Sequence, residues 1–141
     1  MNLIFRGAGD VDVTGAEPIT VEEPHAAPCR RCLTDVEPGE RAFLVSYDPF
    51  RRSSPYRSAS PVFVHADGCD VYEGAEVPEQ QRRRLLSVRT FDEEAMMVES
   101  DVVEGERLET ALDRMFRDPR AAFVHVHNAK PGCFAVRVER G

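Results

Sequence analysis

Ala121-Ala122-Phe123-Val124-His125-Val126-His127-Asn128-Ala129-Lys130-Pro131-Gly132-Cys133-Phe134-Ala135-Val136-Arg137-Val138 is the stretch whose residue pattern decides the fold. Strict alternation of valine with other residues is the signature of a strand, because successive side chains point to opposite faces. Two strands, 121–128 and 133–138, are therefore predicted, joined by Ala129-Lys130-Pro131-Gly132 as a turn. A register placing His127 opposite Cys133 matches every pair in character. Ala122, Val124 and Val126 then meet Val138, Val136 and Phe134, while Phe123, His125 and His127 meet Arg137, Ala135 and Cys133. The first face is expected to pack under a helix, and the second to be half-exposed and to carry groups capable of chemistry.

That helix is predicted between Gly105 and Asp118. Leu108, Ala111, Leu112, Met115 and Phe116 fall at i, i+3, i+4, i+7 and i+8 and make one apolar stripe, and Asp118-Pro119 ends it. Upstream, 41–47 and 61–65 read as strands flanking an Arg/Ser/Pro loop from Asp48 to Ser60, and 85–91 and 96–98 give weaker strand signals beside a short basic surface stretch, 81–84. Residues 7–28 carry Gly7, Gly9, Gly15, Pro18, Pro24 and Pro28 with five acids, which suits loops with short edge strands at Val11, Val13, Ile19 and Val21. The expected fold is a single α+β domain over 1–141, with a loop-rich segment 1–27 and a core 28–140. It has a small antiparallel or mixed sheet, one main helix packed on one face, and a zinc-knuckle-like pair of loops.

Those loops carry Cys29-x-x-Cys32 and His65-x-x-x-Cys69. Each pair lets two ligands from one short loop reach one ion, and the second pair closes a tetrahedron, so Cys29, Cys32, His65 and Cys69 are the candidate zinc ligands. If the strands 41–47 and 61–65 are antiparallel neighbours, both clusters lie at the same end of their sheet. The alternatives are four buried or unpaired residues, or redox chemistry at Cys29 and Cys32, for which the turn Glu37-Pro38-Gly39-Glu40 leaves little room for the helix N-terminus that usually activates such a thiol.

His125, His127 and Cys133 form a second candidate. A His-x-His pair about 7 Å apart on one strand face can chelate a metal in an open catalytic centre. Cys133 and His127 could instead act as nucleophile and base. The same residues also fit an ordinary polar sheet face, and Cys133 could join the first cluster. Arg51, Arg52 and Arg57 among serines suggest either an anion clamp or a solvated loop. Arg89 and Arg137 are better placed for an anion pocket, and His25, between prolines, reads as a surface residue.

Composition bounds the rest. With 18 basic and 25 acidic residues the net charge is -7, which repels a phosphate backbone, so nucleic acid is not an expected partner. Seventeen of the 18 bases are arginine, with Lys130 the lone lysine, a bias that reads as codon usage more than chemistry. Three consecutive apolar residues at the start, Leu3-Ile4-Phe5, predict neither a signal peptide nor a membrane partner, hence a cytosolic protein whose four cysteines are ligands or free thiols.

Pro28-Cys29-Arg30-Arg31-Cys32-Leu33, Pro38-Gly39-Glu40, Tyr47-Asp48-Pro49-Phe50, Pro55-Tyr56, Pro61-Val62-Phe63-Val64-His65-Ala66 with Cys69, and Val124-His125-Val126-His127-Asn128-Ala129 with Gly132-Cys133-Phe134 together resemble the bacterial domain of unknown function 1203 family. The resemblance spans roughly 28–140 and implies a small single-domain bacterial protein in which these Cys and His positions recur as a set. The family pattern often has His where this chain has Arg31, and Arg where it has His127, so a role that needs His127 is not the family's common one. The expectation is a structural zinc site in a binding or regulatory module acting through the polar sheet face on a small molecule or protein. The alternative is a small enzyme built on Cys133 with His125 or His127.

Overall fold

The computed structural model describes residues 2–141. Its strands are β1 (Leu3–Arg6), β2 (Ile19–Thr20), β3 (Arg41–Tyr47), β4 (Ser60–His65), β5 (Glu73–Gly74), β6 (Leu85–Phe91), β7 (Met97–Glu104), β8 (Phe123–Asn128) and β9 (Phe134–Arg140). Two helices accompany them, the four-residue α1 (Glu79–Arg82) and α2 (Leu108–Met115), which follows a 3-10 turn. Strand, not helix, dominates. The single main helix expected from the apolar stripe shrinks to eight residues, because the stripe needs only two turns to cover its share of the sheet.

All strand pairs are antiparallel and make two sheets. The larger has the order β5-β1-β9-β8-β6-β7, and the smaller β2-β3-β4. On one face of the larger sheet Val88, Val124, Val126, Val136 and Val138 meet Leu108, Leu112, Met115 and Phe116, all essentially removed from water. The predicted docking of the helix is thus observed, and burying each such side chain contributes on the order of 1.5–3 kcal/mol.

The β8–β9 hairpin departs from the expected register. Val124 pairs with Val138, Val126 with Val136 and His125 with Arg137, but His127 pairs with Phe134, with the ladder shifting between Val126 and His127. Ala135 is the extra residue of a bulge. The slip keeps the valines facing the helix and sends Phe134 to the opposite face, where its ring lies 5.4 Å from His125 and 5.8 Å from His127. It also places Cys133 beside Asn128, whose N–H donates to the Cys133 carbonyl at 2.9 Å.

That opposite face is not half-exposed, as alternation suggested. Every residue of β8 is buried. Phe50 and Tyr56 from the loop after β3, and Tyr47 at the end of β3, close over it through ring contacts of 4.8–5.7 Å with His125, Phe91 and Phe134. The weak strand signal at 96–98 proves to be an eight-residue edge strand, β7, whose acidic side chains face solvent and hid its periodicity. No helix is long and apolar enough to cross a membrane among the described residues.

Candidate metal centre

β3 and β4 run antiparallel with Ala42 opposite His65, so the chain before β3 and the chain after β4 leave the small sheet at the same end. Cys29 lies alongside β4 through a parallel bridge to Phe63, and the Arg30 N–H donates to the Phe63 carbonyl at 2.9 Å. The Cys29-x-x-Cys32 turn closes on Leu33, whose N–H donates to the Cys29 carbonyl at 3.1 Å and whose φ is 61°. A left-handed leucine costs on the order of 1 kcal/mol. Here its side chain is 3% exposed in the main core, and that burial offsets the strain.

Beyond β4 the Ala66 N–H donates to the Arg41 carbonyl at 3.0 Å, and Gly68, with φ 91°, reverses the chain to return Cys69. The Tyr72 N–H then donates to the Arg31 carbonyl at 2.8 Å, tying the second loop back to the first.

The result brings Cys29, Cys32 and Cys69 Sγ and a His65 ring nitrogen all within 4.8 Å of one another. Cys29 Sγ lies 3.7 Å from Cys69 Sγ, and Cys32 Sγ 3.4 Å from His65 Nδ1. Bond lengths of about 2.3 Å to sulfur and 2.0–2.1 Å to nitrogen around a tetrahedral ion require edges of about 3.8 and 3.6 Å. Those two edges are already in place, and the longest separation needs to contract by about 1 Å. The four cysteines are free thiols, so no disulfide competes.

Electrostatics favour a cation. The hydrogen bond between Cys29 and Cys32 raises the Cys29 thiol and depresses Cys32, while burial raises Cys69. One thiolate is comfortable here and three are not, unless a positive ion sits among them. The surroundings also orient the ligands. Thr34 Oγ1 lies 3.1 Å from Cys32 Sγ, and Glu40 Oε1 lies 3.8 Å from His65 Nε2, the ring nitrogen facing away from the thiols. Outer carboxylates of this kind commonly fix the tautomer of a ligating imidazole. Thr34 carried no sequence signal beyond lying near a ligand, and Glu40 entered only as part of the Pro38-Gly39-Glu40 turn and family string.

Cys133 lies outside this cluster. Its thiol accepts a hydrogen bond from Asn128 Nδ2 at 3.2 Å, whereas His127 Nδ1 pairs with the Gly132 carbonyl at 2.9 Å. The bulge at Ala135 thus gives Cys133 an amide neighbour in place of the expected imidazole. His125 is fully buried in rings, with Phe50, Phe91, Phe123 and Phe134 at 4.8–5.5 Å. Arg137 Nη1 lies 3.3 Å from His125 Nε2, and a guanidinium only donates, so the ring proton sits on Nδ1 among the aromatic faces. Desolvation pulls His125 down to about 2 and His127 down to about 4, so both stay neutral. Among the described residues they join no group of three or more potential ligands.

The arginine candidates are engaged in structural contacts. Arg52 donates to the Glu93 carbonyl, Arg57 pairs with Asp48, and Arg137 pairs with Glu139 while lying over the Phe123 ring. Arg51 reaches Glu139 at 3.7 Å, and Arg89 donates to Ser87. His25 is exposed, as expected, and pairs with Asp35 at 2.7 Å.

Residues 26–140 match the family described as a protein of unknown function, DUF1203. The chain belongs to this family. The match starts just before the first cysteine motif and ends at the last residue of β9, so the Cys/His cluster, both helices and seven of the nine strands lie within it, while β1 and β2 precede it. No curated protein and no solved structure matches the chain significantly.

Proposed function

We propose that this bacterial, cytosolic chain is a small binding module whose β2-β3-β4 sheet is fastened by one structural Zn²⁺ on Cys29, Cys32, His65 and Cys69. The convergence of these four atoms within 4.8 Å carries the proposal. Three thiolates and one imidazole in a tetrahedron are a typical zinc donor set, and four protein ligands leave no open position for substrate. The sheet also needs the support. Its buried apolar group consists of small side chains, Val21, Ala27, Cys29, Val36, Ala42 and Val64, which cannot hold two long loops by burial alone.

Native mass spectrometry of protein purified without a histidine tag, with and without chelator, tests it. One zinc per chain is expected, lost in Cys29→Ser and Cys69→Ser. Protein that never holds metal yet keeps its full secondary structure and thermal midpoint would refute it.

A further inference from the structure

Between β4 and the turn joining β8 to β9 lies a cleft of ≈ 680 Å³ that shares no residue with the metal cluster. This volume is typical of small-molecule sites. Its walls are apolar, with Leu44, Val62 and Phe63 on the small sheet and Leu85 at the start of β6.

The polar groups within it are unusual for a chain of net charge -7. Arg30, Arg84 and Lys130 line the cleft, with Glu104 as the carboxylate among its lining residues. Arg30 is 2% exposed, and its Nη1 donates to Gln80 Oε1, a neutral amide, at 2.8 Å. Among the described residues neither Arg30 nor Arg84 has a carboxylate within ion-pair distance. Asp35, close by, is engaged by His25 at 2.7 Å and Arg83 at 3.0 Å. Removing a guanidinium from water without an anion is costly, and a ligand that supplies the anion relieves that cost. Asn128 shows a different unmet demand, for a hydrogen-bond donor. It is 6% exposed, it lines the cleft, and its Oδ1 has no hydrogen-bond partner.

We propose that this cleft binds a small organic acid, its carboxylate held by Arg30 and Arg84 and its hydrocarbon body lying against Leu44, Val62, Phe63 and Leu85. Guanidinium groups suit a carboxylate because their paired N–H donors match its two oxygens. The apolar walls require the hydrocarbon and distinguish this ligand from inorganic phosphate. Cys133, partly exposed in the same lining, is a built-in reporter of occupancy.

The experiment alkylates the full-length protein with iodoacetamide and follows each cysteine by peptide mass spectrometry in the presence of octanoate, octan-1-ol or inorganic phosphate. Octanoate at about ten times its Kd should slow Cys133 about ten-fold. Cys29, Cys32 and Cys69 should be unaffected, and Arg84→Gln should abolish the protection. Equal protection by octan-1-ol or by phosphate, or slowing of all four thiols together, would overturn the proposal. If Cys133 resists alkylation in the free protein, titration calorimetry of octanoate decides. One-site binding lost in Arg84→Gln supports the proposal, and no binding to the wild type refutes it. Because the zinc is counted separately, failure of this site leaves the metal centre untouched, and the converse holds.

Discussion

Replacing Cys69 by serine separates the metal from the packing more cleanly than any other change to the cluster. Cys29 is fully buried in the small apolar group, so its loss would mix ligation with lost contacts to Val36, Ala42 and Val64, whereas Cys69 is partly exposed at its edge. Serine keeps the shape of Cys69 and removes the thiolate. With free zinc at about 1,000 times its Kd, binding to the folded state alone contributes about 4.1 kcal/mol. In a chain of this size about 2–4 °C of thermal midpoint accompanies each kcal/mol, so Cys69→Ser should melt about 8–16 °C below the wild type. Chelator should shift the wild type by the same amount and leave the variant where it is. Hydrogen exchange should place the loss in β3 and β4, with the amides of β8, under α2, staying protected. A Cys69→Ser protein that melts within about 2 °C of the wild type, or that still carries one zinc per chain, would refute the metal argument.

Further expectations follow from other parts of the molecule. The unfolded chain protonates His125 and His127 near pH 6.5, while burial holds them down to about 2 and about 4 in the fold. Stability should therefore fall as pH drops below 6.5, by about 2 kcal/mol per histidine at pH 5. His125→Leu should lose its share of that slope in urea titrations at pH 6.5 and 5; parallel losses in both proteins would contradict it. A Cβ on Gly7 would meet the Arg31 carbonyl oxygen at 1.9 Å, whereas one on Gly9 would meet nothing within 4 Å. Gly7→Ala should cost about 1–3 kcal/mol in denaturant unfolding and Gly9→Ala less than about 0.5. Cys133→Ser should keep its zinc and its melting temperature, which metal analysis and a thermal scan would check.

Much of this was legible in residue order because it is local. Ligand spacing fixes which cysteines share a loop, alternation marks β3, β4, β6, β8 and β9, and the helical stripe places α2 within the predicted 105–118. What stayed hidden depends on distant partners. Leu3–Arg6 is too short to identify as a strand, yet it lies between β5 and β9 because β9 offers it a complete ladder from Leu3 to Arg6. The bulge at Ala135 is invisible because both registers pair apolar with apolar on the helix side. His125 looked half-exposed because alternation cannot reveal that Phe50 folds over it; only the tertiary packing of the 48–60 loop does that. The basic surface stretch expected at 81–84 overlaps the helical turn Glu79–Arg82, in which Gln80 and Gln81 are buried and Gln80 holds Arg30. Arg30 entered only as part of the Pro28–Leu33 string, because spacing between two cysteines does not reveal where the intervening side chains turn.

Arg30 sits in the middle of the Cys29–Cys32 turn, with its backbone joined to Phe63 and Ala8 and its guanidinium turned into the neighbouring cleft. One short turn thus joins the proposed metal site to the proposed acid site, like a lever on a shared pivot. If the two proposed sites are coupled through that pivot, the metal and the acid must change each other's affinity by the same factor, because coupling between two binding events is reciprocal.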